Sequence, residues 1–178
     1  MATRENELVV IEPPEEERRP LTAVQIKAQV QLIQEVMSAV MQKDVHYGVI
    51  PGCEKPTLYK PGSEKLLSTF RIAVKPIETD LSKEDFVRYR VEARGTSMVD
   101  GRYLGSGIGE CSSGEEKYAW RRVVCKEEWE ATPPDRRREK WAKKRNAETY
   151  MIQQVRTNPA DVANTILKMA KKRAQIDL

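Results

Sequence analysis

Three cations and two aromatic rings are interleaved in the stretch EEKYAWRRVVC, residues 115–125. They are Lys117, Arg121, Arg122, Tyr118 and Trp120. Proteins that hold single-stranded nucleic acid use cations to follow the phosphates and aromatic rings to stack on the bases. The stretch is therefore a candidate binding surface, although its periodicity does not decide between helix and strand.

A second cationic group lies in the segment NPADVANTILKMAKKRAQIDL. Asn158 is a favoured helix N-cap and Pro159 suits the first helical position, so the segment predicts a helix. Its apolar residues fall on one arc, and the opposite arc carries Lys168, Lys171 and Lys172. The plainer interpretation is that these lysines only solvate a surface helix. Arg173 falls inside the apolar arc, so we expect it to reach past the core edge or to meet a neighbouring subunit.

A β-hairpin is predicted between these two groups. Residues 85–98 alternate, with Arg88 and Arg90 on the face opposite the apolar side chains, and Asp100-Gly101 is a strong turn signal before a returning strand over 102–111. We expect the hairpin and the last helix to form one basic groove for DNA. The residues predicted to bind it are Arg88, Arg90, Lys117, Tyr118, Trp120, Arg121, Arg122, Lys168, Lys171, Lys172 and Arg173.

The returning strand carries three glycines at a spacing of two, Gly105, Gly107 and Gly109. A strand face without side chains lets another group approach the backbone closely. The spacing differs from that of a dinucleotide-binding loop, and no strand-to-helix context surrounds it.

One alternative is a Mg²⁺-dependent nuclease of the PD-(D/E)xK type. Asp100 followed by Glu115-Glu116-Lys117 supplies the necessary residue types, since carboxylates can hold the metal and activate water. Asp100, however, falls at a predicted hairpin tip. With one histidine, His46, and three widely spaced cysteines, we expect reduced thiols, no zinc site and no cofactor.

The composition is that of a protein with a large polar surface: 33% of its 178 residues are charged and 39% are hydrophobic. The net charge is +4, but residues 117–178 hold sixteen Lys or Arg against eight Asp or Glu. This asymmetry favours a polyanionic partner for the C-terminal third. No apolar run suits a membrane span and the N-terminus lacks a signal-peptide layout, so a cytoplasmic location is expected.

The predicted architecture is α+β. We expect an extended acidic arm over residues 1–20, a helix over 21–43, a short helix from Ser63, a strand over 71–77, and then the hairpin and the basic C-terminal helix. Together the strands and the last helix form a β-β-β-α core in a single domain over 21–178. The apolar stripe of the first helix, from Ile26 to Met41, is typical of a core, and a subunit contact is the alternative. The basic segment 127–150 is predicted to be a helical insertion.

Two strings in this chain, HYGVIPGCEKPTLYKPGSEKLL and VRTNPADVANTILKMAKKRAQ, resemble a group of uncharacterised phage and mobile-element proteins. The resemblance extends through GIGECSSGEEKYAWRR, and it covers about residues 36–124 and 155–176. Members of that group often carry a zinc-ribbon-like insert after the KYAWRR segment, where this chain has only Cys125. More distantly, the chain resembles phage single-strand annealing proteins of the RecT, Redβ and Sak kind.

That second resemblance implies a β-β-β-α core that binds single-stranded DNA in the groove of a ring or helical filament. It also implies a host-cell cytoplasmic location, and a phage exonuclease or a single-strand-binding protein as a further partner. The leading hypothesis is a non-enzymatic protein for phage-type recombination that neutralises phosphates and leaves the base edges free to anneal. The nuclease described above and a structural or adaptor protein without a DNA role are the alternatives.

Overall fold

The structure, a computed structural model, describes residues 22–50, 53–144 and 148–178. It divides the chain into two units, Met1–Val40 and Met41–Leu178. The predicted acidic arm, residues 1–20, lies outside the described residues. Among the described helices, none is long and apolar enough to cross a membrane.

The first unit contains helix α1, Ala23–Val40. This confirms a helix within the predicted range 21–43. Thr22 precedes it, and the Thr22 hydroxyl accepts a hydrogen bond from the Gln25 N–H at 3.4 Å. No residue of α1 is buried, and the stripe residues Val30 and Ile33 are 47% and 43% exposed. The stripe is therefore not part of a core formed within this unit, and a subunit contact stays a prediction.

The second unit begins with a small hairpin, β1 (Tyr47–Gly48) and β2 (Thr57–Leu58), followed by helix α2, Lys60–Thr69. The helix starts three residues before the predicted Ser63, because Pro61 is compatible with a first helical turn. The buried Ser63 hydroxyl donates to the Gln175 carbonyl at 3.1 Å, which ties α2 to the C-terminal helix.

A three-stranded antiparallel sheet follows, in the order β3 (Ile72–Asp80), β4 (Arg88–Ser97) and β5 (Tyr103–Ser112). The predicted hairpin is confirmed, and Gly101 in its turn has φ of 73°, a conformation that favours glycine. The alternation in β4 buries Val91 and Ala93 on one face, as predicted. On the other face, the β4 side chains are mostly charged.

Helix α5, Pro159–Asp177, covers the buried face. The Asn158 side chain accepts from the Ala160 N–H at 3.1 Å, as expected of an N-cap. Ile166, Ala170 and Ala174 pack against Val91, Ala93 and Cys111 to form the core. The fold is therefore α+β with a β-β-β-α core, as the sequence predicted.

The close approach predicted at the glycines of β5 is made by α5. A Cβ on Gly107 would lie 2.2 Å from the Leu178 nitrogen, and one on Gly109 would lie 2.2 Å from the Ala174 nitrogen. The helix backbone thus rests directly on the strand backbone. Gly105 has nothing within 4 Å of its Cβ position, so the contact involves two of the three glycines.

The segment 127–150, predicted to be a helical insertion, begins within one short helix and continues as a 3₁₀ turn, one strand and the start of another, so that prediction is wrong. Helix α3 (Glu116–Ala119) leads into β6 (Trp120–Arg122), and helix α4 covers only Lys126–Ala131. A 3₁₀ turn at Pro134–Arg136 then leads to β7 (Arg137–Lys143) and β8 (Thr149–Arg156). These strands form a second antiparallel sheet in the order β6-β8-β7. The charged side chains of β7 alternate between its two faces, and pairing with β8 overrides their helix propensity.

A methyl group at Gly109 should break the contact between α5 and β5. We expect Gly109→Ala to lower the free energy of unfolding by about 3 kcal/mol, because the new Cβ meets helix backbone that cannot rotate away. Urea denaturation measures the change. Ser106→Thr adds the same group to the exposed face of the same strand and should stay within about 0.5 kcal/mol of wild type. Equal stability of both variants would contradict this packing.

Candidate functional site

The predicted groove between the hairpin and the last helix does not form, because the sheet separates its two sides. Val91 and Ala93 face α5, so Arg88 and Arg90, at alternate positions of β4, project from the opposite face. The sequence shows that these arginines lie opposite the apolar side of β4. It does not show that α5 covers the apolar side. Because α5 lies there, its lysines are on the opposite side of the sheet from Arg88 and Arg90.

Both hairpin arginines are also engaged by one carboxylate. The Arg88 Nε donates to Glu110 at 2.7 Å and the Arg90 Nε donates to it at 3.0 Å. The hydrogen bond from Arg88 holds the pKa of Glu110 below its ordinary value. On the same face, Arg94 pairs with Glu92 at 2.8 Å. The three arginines of this surface are therefore held in exposed ion pairs.

Arg173 is structural. It reaches past the core edge, as one of the two interpretations predicted, and its two terminal nitrogens donate to the Glu115 carboxylate at 2.6 and 2.8 Å. It also donates to the Glu110 carbonyl. The hydrogen bonds from Arg173 lower the pKa of Glu115 to about 2. This pair links α5 to the segment that follows β5.

Two more residues predicted to bind DNA, Tyr118 and Arg121, contact other parts of this protein. Tyr118 packs against the core, with the Lys117 Nζ 4.5 Å from its ring centroid. Arg121 forms an ion pair with Glu128, whose pKa falls to about 2 because Arg121 and then the Val124 N–H donate to it. Arg121 therefore fastens α4 to β6.

Trp120 and Arg122 lie on the other face of β6, where the second sheet gathers cations and aromatic rings. Strand pairing places these two residues beside side chains of β8 and β7 on the same face. The group, which we name the Trp120 face, comprises Trp120, Arg122, Arg138, Lys140, Tyr150 and Arg156. Arg121 and Arg137 project from the opposite face, where the Arg137 guanidinium lies 4.9 Å from the ring of Trp129 in α4.

Guanidinium groups contact both rings of the Trp120 face. The Cζ atoms of Arg138 and Arg156 lie 4.3 and 4.2 Å from the centroid of the Trp120 ring. The Arg122 guanidinium donates to the Tyr150 hydroxyl at 2.9 Å. Contacts of this kind orient the cations while leaving their charge intact. Trp120 therefore holds two arginines in place, and the stacking of its ring on a base stays a prediction.

Among the described residues, Glu116 is the one carboxylate that forms ion pairs with the four cations of this surface. Glu116 accepts from Lys140 at 2.7 Å and from Arg138 at 2.8 Å, and the hydrogen bond from Lys140 is the main reason that its pKa is lowered. Arg122, Lys140 and Arg156 are exposed. The face can therefore bind several phosphate groups.

Sequence reasoning missed four residues of this face: Arg138, Lys140, Tyr150 and Arg156. The available signal was the alternation in RREKWAK, in which Arg138 and Lys140 fall on one face of a strand while Glu139 and Trp141 fall on the other. High helix propensity obscured it. Arg156 could be found only from its pairing with Trp120.

The three helix lysines lie on the α5 side of the first sheet, in a cleft between α5 and β3. Lys168, Lys171 and Lys172 line this cleft together with apolar side chains of β3, β4 and α5. Lys171 pairs with Glu78 at 2.6 Å, and that hydrogen bond lowers the pKa of the carboxyl group. These lysines are thus apart from Arg88 and Arg90, and their assignment to DNA stays a prediction.

The residues of the nuclease alternative do not converge. Asp100 lies in the turn before β5, and Glu115 follows the far end of that ten-residue strand, which spans ~30 Å at the usual rise per residue. Glu115 and Glu116 are both held by basic side chains. Among residues 22–50, 53–144 and 148–178, no group of three His, Cys, Asp or Glu is placed to hold a metal ion.

The Glu115–Arg173 pair should make stability depend on acid pH. The folded-state pKa of about 2 is below the ordinary glutamate value of 4.5, so the contribution is fully present above about pH 4.5 and is lost as the pH falls towards 2. We expect Glu115→Gln to cost ~1–2 kcal/mol at pH 7, a value reduced for solvent screening because both side chains are partly exposed.

Urea denaturation between about pH 2 and pH 7 measures the effect, and the wild-type and variant curves should converge at the acid end. Glu84→Gln, in the loop between β3 and β4, is the matched control and should run parallel to wild type. A constant difference between wild type and Glu115→Gln at every pH would show that the ion pair does not carry this stability.

No protein-family model, curated protein sequence or solved structure matches this chain. The function proposed for it rests accordingly on its own residues and on the contacts that the structure shows.

Proposed function

We propose that this protein binds single-stranded DNA through the Trp120 face and promotes the annealing of complementary strands without catalysis. The observation that carries the proposal is the placement of Arg138 and Arg156 against the ring of Trp120 on an exposed sheet face. Because a guanidinium that rests on an aromatic ring is partly preorganised, less conformational entropy is lost when it binds a phosphate.

The charge balance supports this surface over the one predicted from the hairpin. Arg88 and Arg90 share Glu110, and Arg94 has Glu92, so phosphates would have to displace internal partners there. On the Trp120 face, Glu116 alone serves two of the four cations. Arg122 and Arg156 have no ion pair with a carboxylate among the described residues.

Binding mainly through phosphates is suited to annealing. Cations that hold the backbone leave the hydrogen-bonding edges of the bases free to test a second strand. To hold a long segment of a DNA strand in this way, several copies of the protein must lie side by side. The proposal therefore includes a homo-oligomer, for which the exposed apolar stripe of α1 is the candidate contact.

Removing two arginines of the Trp120 face should weaken single-strand binding in a salt-dependent way. The slope of log affinity against log salt is about −0.7 for each phosphate neutralised, so Arg138→Ala with Arg156→Ala should flatten it by ~1–2 units. Fluorescence anisotropy with a labelled oligonucleotide of mixed sequence measures the slope. Arg88→Ala with Arg90→Ala removes the same charge from the first sheet. This control should change the slope by less than half as much.

A Trp120→Leu variant separates orientation from charge in the same assay. It keeps all four cations but removes the ring that holds two of them, so affinity should fall several-fold while the slope stays near wild type. The opposite result would contradict the proposal. If the variants at Arg88 and Arg90 flatten the slope and those at Arg138 and Arg156 do not, DNA binds the face of the first sheet that carries Arg88 and Arg90.

Charge placed in the α1 stripe should prevent assembly. Ile33→Asp with Met37→Asp puts two carboxylates where apolar side chains are expected to meet, so we expect light scattering to report smaller particles than wild type at equal concentration. Gln34→Asp with Ser38→Asp adds the same charge to the polar side of the helix and should leave particle size unchanged. A wild-type protein that stays monomeric with and without oligonucleotide would exclude the oligomer.

A further inference from the structure

A cleft of about 610 Å³ lies beside α5, and its origin is the position of that helix. Because the glycines of β5 allow close packing, α5 lies over β5 and β4. It makes few contacts with β3. Val74 is only half-buried and Pro76 is exposed, although both lie on the α5 side of the sheet. The inner surface of β3 is therefore left as one wall of an open cleft.

The floor and walls of the cleft are aliphatic. Val74 and Pro76 from β3, Ala93 from β4 and Met169 from α5 line it, and none of its lining residues is aromatic. Such a surface gains free energy by burying an aliphatic side chain, at roughly 25 cal/mol per Å². It lacks the rings on which unpaired bases stack, in contrast to the Trp120 face.

Four ammonium groups surround this apolar surface. Lys168, Lys171 and Lys172 come from α5 and Lys60 comes from the start of α2. Two of them already bind carboxylates of this chain, Lys171 with Glu78 at 2.6 Å and Lys60 with Glu64 at 2.8 Å. Lys168 and Lys172 form no ion pair with a carboxylate of the described residues, so two cations remain for a ligand.

We propose that this cleft is a docking site for an acidic peptide segment of a partner protein, which inserts one or two aliphatic side chains between flanking carboxylates. The aliphatic side chains contact Val74, Pro76 and Met169, and the carboxylates pair with Lys168 and Lys172. Charge complementarity selects an acidic segment, and the aliphatic wall distinguishes it from a purely polyanionic ligand. A cleft of this size accommodates side chains but not a folded domain. The proposal does not depend on DNA binding at the Trp120 face.

The test uses the full chain and a fluorescein-labelled synthetic peptide of about ten residues, with two adjacent leucines flanked by glutamates. We expect saturable binding by anisotropy, with at least about tenfold weaker binding when the leucines become serine or when the glutamates become glutamine. Lys168→Ala with Lys172→Ala should weaken binding by about tenfold. Thr165→Trp, which places a ring in the cleft without changing charge, should weaken it to a similar extent.

Lys83→Ala with Lys126→Ala removes the same charge elsewhere and should keep the affinity within about twofold of wild type. The proposal is wrong if no saturable binding appears up to about 1 mM peptide, or if both altered peptides bind as well as the original. It is also wrong if the variants at Lys168, Lys172 and Thr165 lose affinity for an oligonucleotide of thymidines while their affinity for the peptide stays at the wild-type value. In that case the cleft holds DNA.

Discussion

Helix α5 packs its backbone onto the backbone of β5, since Gly107 and Gly109 present no side chain between them. The core, the exposed sheet face and the cleft all follow from this contact. With the helix drawn to one edge of the sheet, small residues such as Ala170 and Ala174 suffice to fill the interface. The bidentate pair of Arg173 with Glu115 then fixes the helix laterally against the segment that leads to the second sheet.

The two surfaces proposed to bind ligands differ in the chemistry of their cations. On the Trp120 face the charges are mainly guanidinium groups, which are planar and lie on rings, so their orientation is set before a ligand arrives. In the cleft the charges are ammonium groups on flexible stems around an aliphatic wall. Oriented guanidinium groups suit the repeated geometry of a phosphate backbone. Mobile ammonium groups suit carboxylates whose positions vary from one peptide to another.

The sequence predicted the first sheet, its hairpin and its helix, because each carries a local signal. Alternation in β4, the Asp100-Gly101 turn and the Asn158 cap depend on neighbouring residues only. The candidate site was harder to predict, since it depends on which strands pair. The pairing of Trp120 with Arg156 joins residues separated by more than thirty positions, and no local pattern reports it. Likewise, the alternation of β4 shows that Arg88 and Val91 lie on different faces of the strand. It does not show which of these faces the helix covers.

The strand edges carry a further consequence. The outer edge of β5 is closed at Ile108, whose N–H donates to the Asp177 carboxylate at 2.8 Å, and β3 at the other edge contains Pro76, which has no N–H to offer. A gap in the row of free N–H donors at each edge of this sheet hinders the addition of another strand there. An assembly joined through the side chains of the α1 stripe, the contact proposed above, would leave this sheet unextended. Subunits joined in that way can exchange without breaking a ladder of backbone hydrogen bonds, which distinguishes a reversible polymer from an amyloid-like one.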